Sequence, residues 1–250
     1  MTQQECRFGL IGFPLGHSAS ASYFAKKFER EGLKTYSYTL FPLLSADEII
    51  PLIKKTPSLQ GFNVTIPYKQ SIIAFLNHLD PVAREIGAVN TVKITRSGSE
   101  FELRGYNTDA EGFRKSLRSG FHHTHALILG TGGSSKAVAY CLKKMGLDVL
   151  FVSRSKTNLP AITYSDINSA ILEQYTFIVN CTPAGMFPDI NQTPPFPTEL
   201  LHQHHEVYDL IYNPAETKFL HLAREADAKT QNGLKMFELQ AELAFKIWKG

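Results

Sequence analysis

In "GFNVTIPYKQ" (61–70), Phe62, Val64 and Ile66 alternate with Asn63 and Thr65, a period of two that predicts a strand. The run stops at Pro67 and delivers Lys69. Elsewhere in the first half, "RFGLIGF" (7–13) predicts a buried strand, "PLGHSAS" a loop, and residues 20–30 a helix. Tyr23, Phe24 and Phe28 share one face of that helix, and Lys26, Lys27 and Glu29 the other. "KTYSYTLF" reads as a strand. "DEIIPLIKK" reads as a short helix whose Pro51 fits only the first turn or a kink. "SIIAFLNHL" is helical in pattern, and "GAVNTVKI" and "FELRGYN" form a strand pair joined near Ser97-Gly98.

The pattern changes after about residue 108. "ALILG", "DVLFVSR", "YTFIVNCTP" and "EVYDLIY" are nearly continuous apolar runs, and the helical stretch after Thr131 ends at Gly146. Apolar strands alternating with helices indicate a parallel sheet covered on both faces. The prolines of 183–198 make that segment a loop. The tail, 233–250, is amphipathic, with Leu239, Leu243 and Ile247 at helical spacing. The expectation is an α/β protein of two lobes, without internal repeats.

Composition narrows the class. A net charge of +3 with no basic run does not point to a nucleic-acid or membrane-surface partner. Cys6, Cys141 and Cys181 lie far apart without metal or redox spacing, so free thiols are expected. With no signal-peptide pattern and no membrane-length apolar run, a cytoplasmic protein is expected. "HHTH" (122–125) and "HQHH" (202–205) lack a completing ligand set and read as exposed loop histidines, with no metal.

Candidate chemistry begins at "LGTGGSSK", a glycine-rich turn between a strand and a helix. Gly130 suits the sharp turn. Gly132 and Gly133 bare their backbone N–H groups to a pyrophosphate, and the helix start near Ser134 offers its positive end. The third glycine position holds Ser135, and a tight turn without ligand is the competing reading. At the end of the next strand stand Ser153, Arg154, Ser155 and Lys156, with no acid for a ribose 2′-OH. Guanidinium, ammonium and hydroxyls suit a 2′-phosphate, which indicates NADP, though a solvated strand end would look the same. A hydride cofactor requires a partner lobe with hydroxyl-binding groups and an acid/base. Ser18, Ser20, Asn63, Thr65, Asn90, Asn107, Thr108 and Asp109 are the candidates, since Ser, Asn and Thr both donate and accept.

The motifs "GFPLGHSAS", "NVTIPYK", "GAVNTV", "GYNTDAEGF", "ILGTGGSSKA", "VNCTPAGM" and "NGLKMFELQAELAF" follow in this order along nearly the whole chain. In this the sequence resembles the shikimate dehydrogenases. The resemblance implies NADPH-dependent reduction of 3-dehydroshikimate to shikimate, in aromatic amino-acid biosynthesis. It implies an N-terminal α/β substrate-binding lobe (1–108 plus 233–250) and a Rossmann-type doubly wound NADP-binding lobe (109–232). The C-terminal helix would return to the first lobe. By the same resemblance Lys69 and Asp109 are the catalytic pair. Ser18, Ser20 and Tyr212 would bind the substrate carboxylate, and Asn63, Thr65, Asn90 and Gln240 its hydroxyls. Gly130, Thr131, Gly132, Gly133, Ser134, Ser153, Arg154, Ser155, Lys156, Thr182, Leu210 and Gly233 would line the NADP(H) site. The implied partner is a small molecule, and the protein a monomer or homodimer.

On the residues alone, Lys69 also reads as a surface lysine, Ser18 as a helix cap and Gln240 as an exposed helix residue. The chain departs from the family at Ser153 and Ser155, at Asn158, at Ala21, at Lys235 and at Leu210, none of them a catalytic position. Two rivals stand beside the main reading: a quinate/shikimate paralogue accepting NAD, and a nucleotide-sensing regulator that has lost activity. A methyltransferase reading of the glycine turn leaves the first lobe unexplained.

Overall fold

The computed structural model describes residues 5–16, 18–155 and 161–250. The chain divides into two compact units, one running up to Thr108 and including Ala241–Gly250, the other Asp109–Gln240.

In the first unit, strands β1 (Cys6–Gly12), β2 (Tyr36–Pro42), β3 (Leu59–Val64), β4 (His78–Leu79), β5 (Thr91–Ser97) and β6 (Glu100–Tyr106) form one sheet in the order β2-β1-β3-β5-β6-β4. β1 is parallel to β2 and β3, whereas β5 runs antiparallel to β3 and β6. β1 and β3 therefore end, and β5 begins, at the same edge of the sheet, and β6 ends there too. The even-and-odd alternation sorts side chains to two layers. Ile11, Phe62, Val64, Val92 and Leu103 pack with Ile49 and Ile53 of helix α2 (Ile49–Lys55) on one face. Phe8 faces the other, where helix α1 (Ser20–Arg30) and the C-terminal helix α8 (Leu234–Lys249) supply Phe24, Phe28, Ala241, Ala244, Phe245 and Trp248. Trp248 stacks on Phe8 with ring centroids 4.8 Å apart, and its indole N–H donates to the Val92 carbonyl at 3.0 Å. Gly61 lies beneath that indole, where a Cβ would overlap it.

Three local expectations are corrected here. The buried stripe of α8 is Ala241, Ala244, Phe245 and Trp248, whereas Leu239, Leu243 and Ile247 are only half-buried. Lys27 is not on the solvated face of α1: it is 5% exposed and bonds both carboxylate oxygens of Glu242, at 2.9 and 2.7 Å. Burial opposes its charge, but the bonds to Glu242 and Glu31 prevail and hold its pKa above the ordinary lysine value. Residues 71–79 form a 3₁₀ turn (Ser71–Phe75) and the short strand β4 in place of a helix. A further helix, α3 (Pro81–Ile86), is capped by the Asp80 carboxylate and ends at Gly87 in the left-handed region.

In the second unit, helix α4 (Asp109–Ser116) leads into β7 (His125–Leu129), α5 (Gly133–Lys144), β8 (Asp148–Ser153), β9 (Ala161–Thr163), α6 (Ser169–Gln174), β10 (Phe177–Asn180), β11 (Glu206–Asp209), α7 (Lys218–Glu225) and β12 (Lys229–Asn232). The strands are all parallel, in the order β12-β11-β10-β7-β8-β9. This is the doubly wound arrangement, and strand order reverses between β7 and β10. Leu127, Leu129, Val152, Ile178 and Val207 pack beneath Phe219 and Leu220 of α7. The proline-rich segment is a loop, as its prolines predict, anchored by Phe196 edge-on to Phe219.

The dividing point falls within α8. Up to Gln240 this helix lies on Gly112 of α4, where a Cβ would come within 3.0 Å of the Gln240 Cβ. No helix among the described residues is long and apolar enough to cross a membrane.

Candidate active site

In the first unit, the strand ends gather polar side chains at one edge. Asn63, the penultimate residue of β3, is 6% exposed. Its amide donates to the Asn90 carbonyl at 3.2 Å and to Thr91 Oγ1 at 3.1 Å, and its Oδ1 accepts from the Tyr38 hydroxyl at 2.8 Å. Asn90 Nδ2 donates to Thr108 Oγ1 at 2.9 Å, while its Oδ1 accepts the Thr108 N–H at 2.7 Å. Asn107 Nδ2 donates to the Ala88 carbonyl at 2.9 Å. A buried network of this kind holds only if its members are satisfied together, and it then fixes their rotamers. It fastens the end of β3 to the start of β5 and the end of β6. Asp109, 5% exposed, is the next residue along the chain.

Lys69 follows from β3 through a tight turn in which the Tyr68 N–H donates to the Thr65 carbonyl at 2.9 Å. The Tyr68 hydroxyl donates to the Leu43 carbonyl at 2.6 Å, and the Lys69 carbonyl accepts the Val89 N–H at 2.7 Å. The backbone of Lys69 is thus pinned on both sides, with its side chain half-buried. Ser18 and Ser20 come at the start of α1, where Ser18 Oγ accepts the Ser20 N–H at 3.2 Å, a local bond of the capping type.

In the second unit, the candidates line the carboxyl ends of the strands around the β7/β10 reversal. Gly130 has φ +101°, a conformation that favours glycine, and its N–H donates to the Val152 carbonyl at 2.8 Å. Gly132 precedes α5 with an ordinary φ of −78°, and a Cβ there would meet nothing within 4 Å. Neither backbone strain nor a protein neighbour calls for glycine at this position. Bare N–H groups before a helix N-terminus suit a phosphate, so the turn fits a dinucleotide's pyrophosphate. Arg154 and Ser155 are exposed beyond β8, and Ser153 is half-buried. Burial pushes the nearby Tyr164 phenol up to about 12, against the pull of the Arg154 guanidinium. Lys156 lies outside the described residues. The donor set at this strand end fits a 2′-phosphate, since it offers a cation and hydroxyls and no carboxylate.

Thr182, after β10, leans on the glycine turn: a Cβ on Gly130 would lie 3.2 Å from its methyl group. Gly233, between β12 and α8, donates its N–H to the Ile211 carbonyl at 3.1 Å, and a Cβ on it would overlap the Leu210 backbone. Tyr212 stacks on Phe237 at 4.6 Å, and Gln240 Nε2 donates to the Phe237 carbonyl at 3.0 Å. Leu210, Tyr212, Gly233 and Gln240 therefore group around the first turns of α8.

Ser135, in the third glycine position, is fully buried against the turn, and its hydroxyl has no hydrogen-bond partner among the described residues. The hydroxyl loses hydration and gains nothing in exchange. Ser135→Ala is expected to raise unfolding stability by about 1 kcal/mol, read from chemical denaturation at unchanged m-value.

Sequence reasoning missed Asn180, Asp209 and Thr217. Asp209 is fully buried at the end of β11. Burial raises its carboxyl to about 6, while bonds from Thr217, Ile211 and Asn180 pull the other way. The histidine clusters meet the expectation only in part: His122, His202 and His204 are exposed, but others are not. His205 is 1% exposed and its Nε2 lies 3.0 Å from the Leu172 carbonyl, and the half-buried His123 bridges Thr176 and Glu206. They sit at the starts of β7 and β11, and among the described residues no group of three His, Cys, Asp or Glu could hold a metal. No disulfide joins the three cysteines, and burial pushes the Cys141 thiol up to about 12.

Known proteins resemble this chain along nearly its whole length. Residues 10–92 match the profile of the shikimate dehydrogenase substrate binding domain. The chain is 38% identical to the NADP(+) shikimate dehydrogenase of Carboxydothermus hydrogenoformans, over 97% of this chain and 91% of that protein. It is 35% identical to the NADP(+) shikimate dehydrogenase of Desulforamulus reducens, over 97% of this chain and 89% of that protein. Among solved structures, shikimate 5-dehydrogenase of Thermus thermophilus in complex with NADP(H) and shikimate superposes with TM-score 0.83 at 32% identity. That match covers 98% of this chain and 94% of the other. With two relatives above one-third identity along almost its full length, the chain belongs to the shikimate dehydrogenase family.

Proposed function

We propose that the protein catalyses the NADPH-dependent, reversible reduction of 3-dehydroshikimate to shikimate, as a cytoplasmic monomer or homodimer. Residues 1–108 with 233–250 act as the substrate-binding domain and 109–232 as the NADP-binding domain. The observation that carries the reading is the first sheet's polar edge: Asn63, Asn90 and Thr108 are knotted together there, and Lys69 follows on a pinned backbone.

NADPH, when bound, supplies the hydride that reaches the carbonyl carbon. As negative charge grows on the carbonyl oxygen, the Lys69 ammonium stabilises it and gives up a proton, leaving an alcohol. In the reverse direction the amine takes that proton back. Asp109 serves as the carboxylate of the proposed catalytic pair and accepts a hydrogen bond from a substrate hydroxyl. Ser18, Ser20 and Tyr212 hold the substrate carboxylate through hydroxyl donors. Asn63, Thr65, Asn90 and Gln240 hold the ring hydroxyls, for which amides and hydroxyls that both donate and accept are suited. The backbone of Gly130–Ser134, with Thr131, takes the pyrophosphate. Ser153, Arg154 and Ser155, with Lys156, take the 2′-phosphate. Thr182, Leu210 and Gly233 position the nicotinamide.

Purified protein with shikimate and NADP+ is expected to generate the NADPH absorbance band, with much slower turnover of quinate and NAD+. Faster turnover of quinate with NAD+ would assign the chain to the quinate/shikimate rival. No reduction of either cofactor would leave the nucleotide-sensing regulator.

A further inference from the structure

We propose that Asp209 is the positioning residue of the cofactor site, a single buried carboxylate that sets the geometry of the loops meant to hold the nicotinamide end. The inference rests on the NADP reading of those loops and adds a residue that touches neither cofactor nor substrate.

Asp209 Oδ1 accepts from Asn180 Nδ2 at 2.9 Å and from the Ile211 N–H at 3.0 Å, and Oδ2 accepts from Thr217 Oγ1 at 2.7 Å. Asp209, Asn180 and Thr217 are each fully buried. Each bond reaches a different segment: the end of β10, the loop after β11, and the cap of α7. From Asn180 the chain of bonds continues, its Oδ1 accepting the Thr182 N–H at 3.0 Å and the Thr182 hydroxyl at 2.7 Å. Thr182 in turn abuts the Gly130 turn after β7. On the other side, Ile211 gives its carbonyl to the Gly233 N–H at 3.1 Å, which ties in the loop after β12. The loops carrying Thr182, Leu210 and Gly233 thus meet, within one or two bonds, at one carboxylate, and the Gly130 turn joins them through its packing on Thr182.

A core of this size has cheaper ways to fill the space. An apolar residue would avoid desolvating a carboxyl, which here is raised to about 6. Three donors converging on two oxygens require an acceptor-only group, and an ionised carboxylate is the side chain of that kind. An amide would turn an N–H₂ toward one of the donors and leave one bond unmade. The loops would then keep their fold but lose their fixed spacing.

The test uses the full chain with Asp209→Asn, Thr217→Val and Thr217→Ser. Calorimetric titration with NADP+ gives affinity, steady-state kinetics give both KM values, and thermal unfolding gives stability. Asp209→Asn is expected to weaken NADP+ binding about tenfold, the loss of one hydrogen bond to a charged group, with the KM for shikimate changed less than about twofold. Thr217→Val removes one donor and also uncaps α7 at Leu220, so a lower melting temperature is expected for structural reasons alone. Its weakened NADP+ binding, restored in Thr217→Ser, is the readout a purely structural role would not move. If Asp209→Asn fails to fold, the Thr217 pair decides. NADP+ affinities within about twofold of wild type in the folded variants would overturn the proposal. A wild-type protein that itself binds no NADP+ would remove the cofactor reading beneath it.

Discussion

Lys69→Ala is expected to lower kcat for shikimate oxidation by about 10³-fold while the KM for shikimate changes less than about threefold, the mark of a group used chiefly in the transition state. The structure motivates this split. Substrate affinity is assigned to many neutral donors and acceptors, and no single amine dominates it. Charge on the reacting oxygen exists only while the hydride is in transit, so the ammonium that meets it acts mainly on the barrier. The pinned backbone of Lys69, bonded through Val89 and braced by Tyr68, means truncation leaves the turn in place. Lys69→Arg keeps the cation but not the compact, readily deprotonated amine, and is expected to recover little of the loss. A raised KM with kcat intact would reassign Lys69 to binding.

Much of the architecture is written locally. The inner strands β7, β10 and β11 are buried at nearly every position and so read as largely apolar runs, as does β8 beside them, whereas the short edge strands β9 and β12, the latter Lys-Thr-Gln-Asn, carry no such run and escape a residue-by-residue reading. Gly130 and Gly132 mark their turn because one needs a positive φ and the other carries no side chain into open space. What escapes such reading depends on partners distant in sequence. Lys27 reads as a solvated lysine until Glu242, 215 residues away, is brought beside it. Asp209 looks like any strand-end acid, since its partners Asn180 and Thr217 lie 29 and 8 residues off. α8 is apolar on more than one side, so its periodicity admits two stripes. The aromatic layer of Phe8, Phe24 and Phe28 selects the one containing Trp248. α3 carries ordinary signals, Asp80, Pro81 and Gly87, but six residues are too few for a period to emerge.

Arg154→Asp is expected to cut kcat/KM for NADP+ by about 10² to 10³-fold and leave that for NAD+ within about threefold. In the proposed site the variant removes a guanidinium from a 2′-phosphate dianion and sets a carboxylate in its place, so lost bonds and new repulsion add. The same carboxylate can accept from a ribose 2′-OH, which is why NAD+ is spared. Arg154→Ala separates the two contributions: without repulsion the loss is expected to be about tenfold, because the Ser153 and Ser155 hydroxyls and the Lys156 ammonium remain. Arg154 is exposed and its field reaches Tyr164, so a supporting role in the second unit is the alternative to exclude. Support would serve both cofactors alike. Equal losses for NADP+ and NAD+, with a lowered melting temperature, would therefore count against a 2′-phosphate contact. A loss confined to NADP+ at unchanged melting temperature would place the discrimination at this strand end.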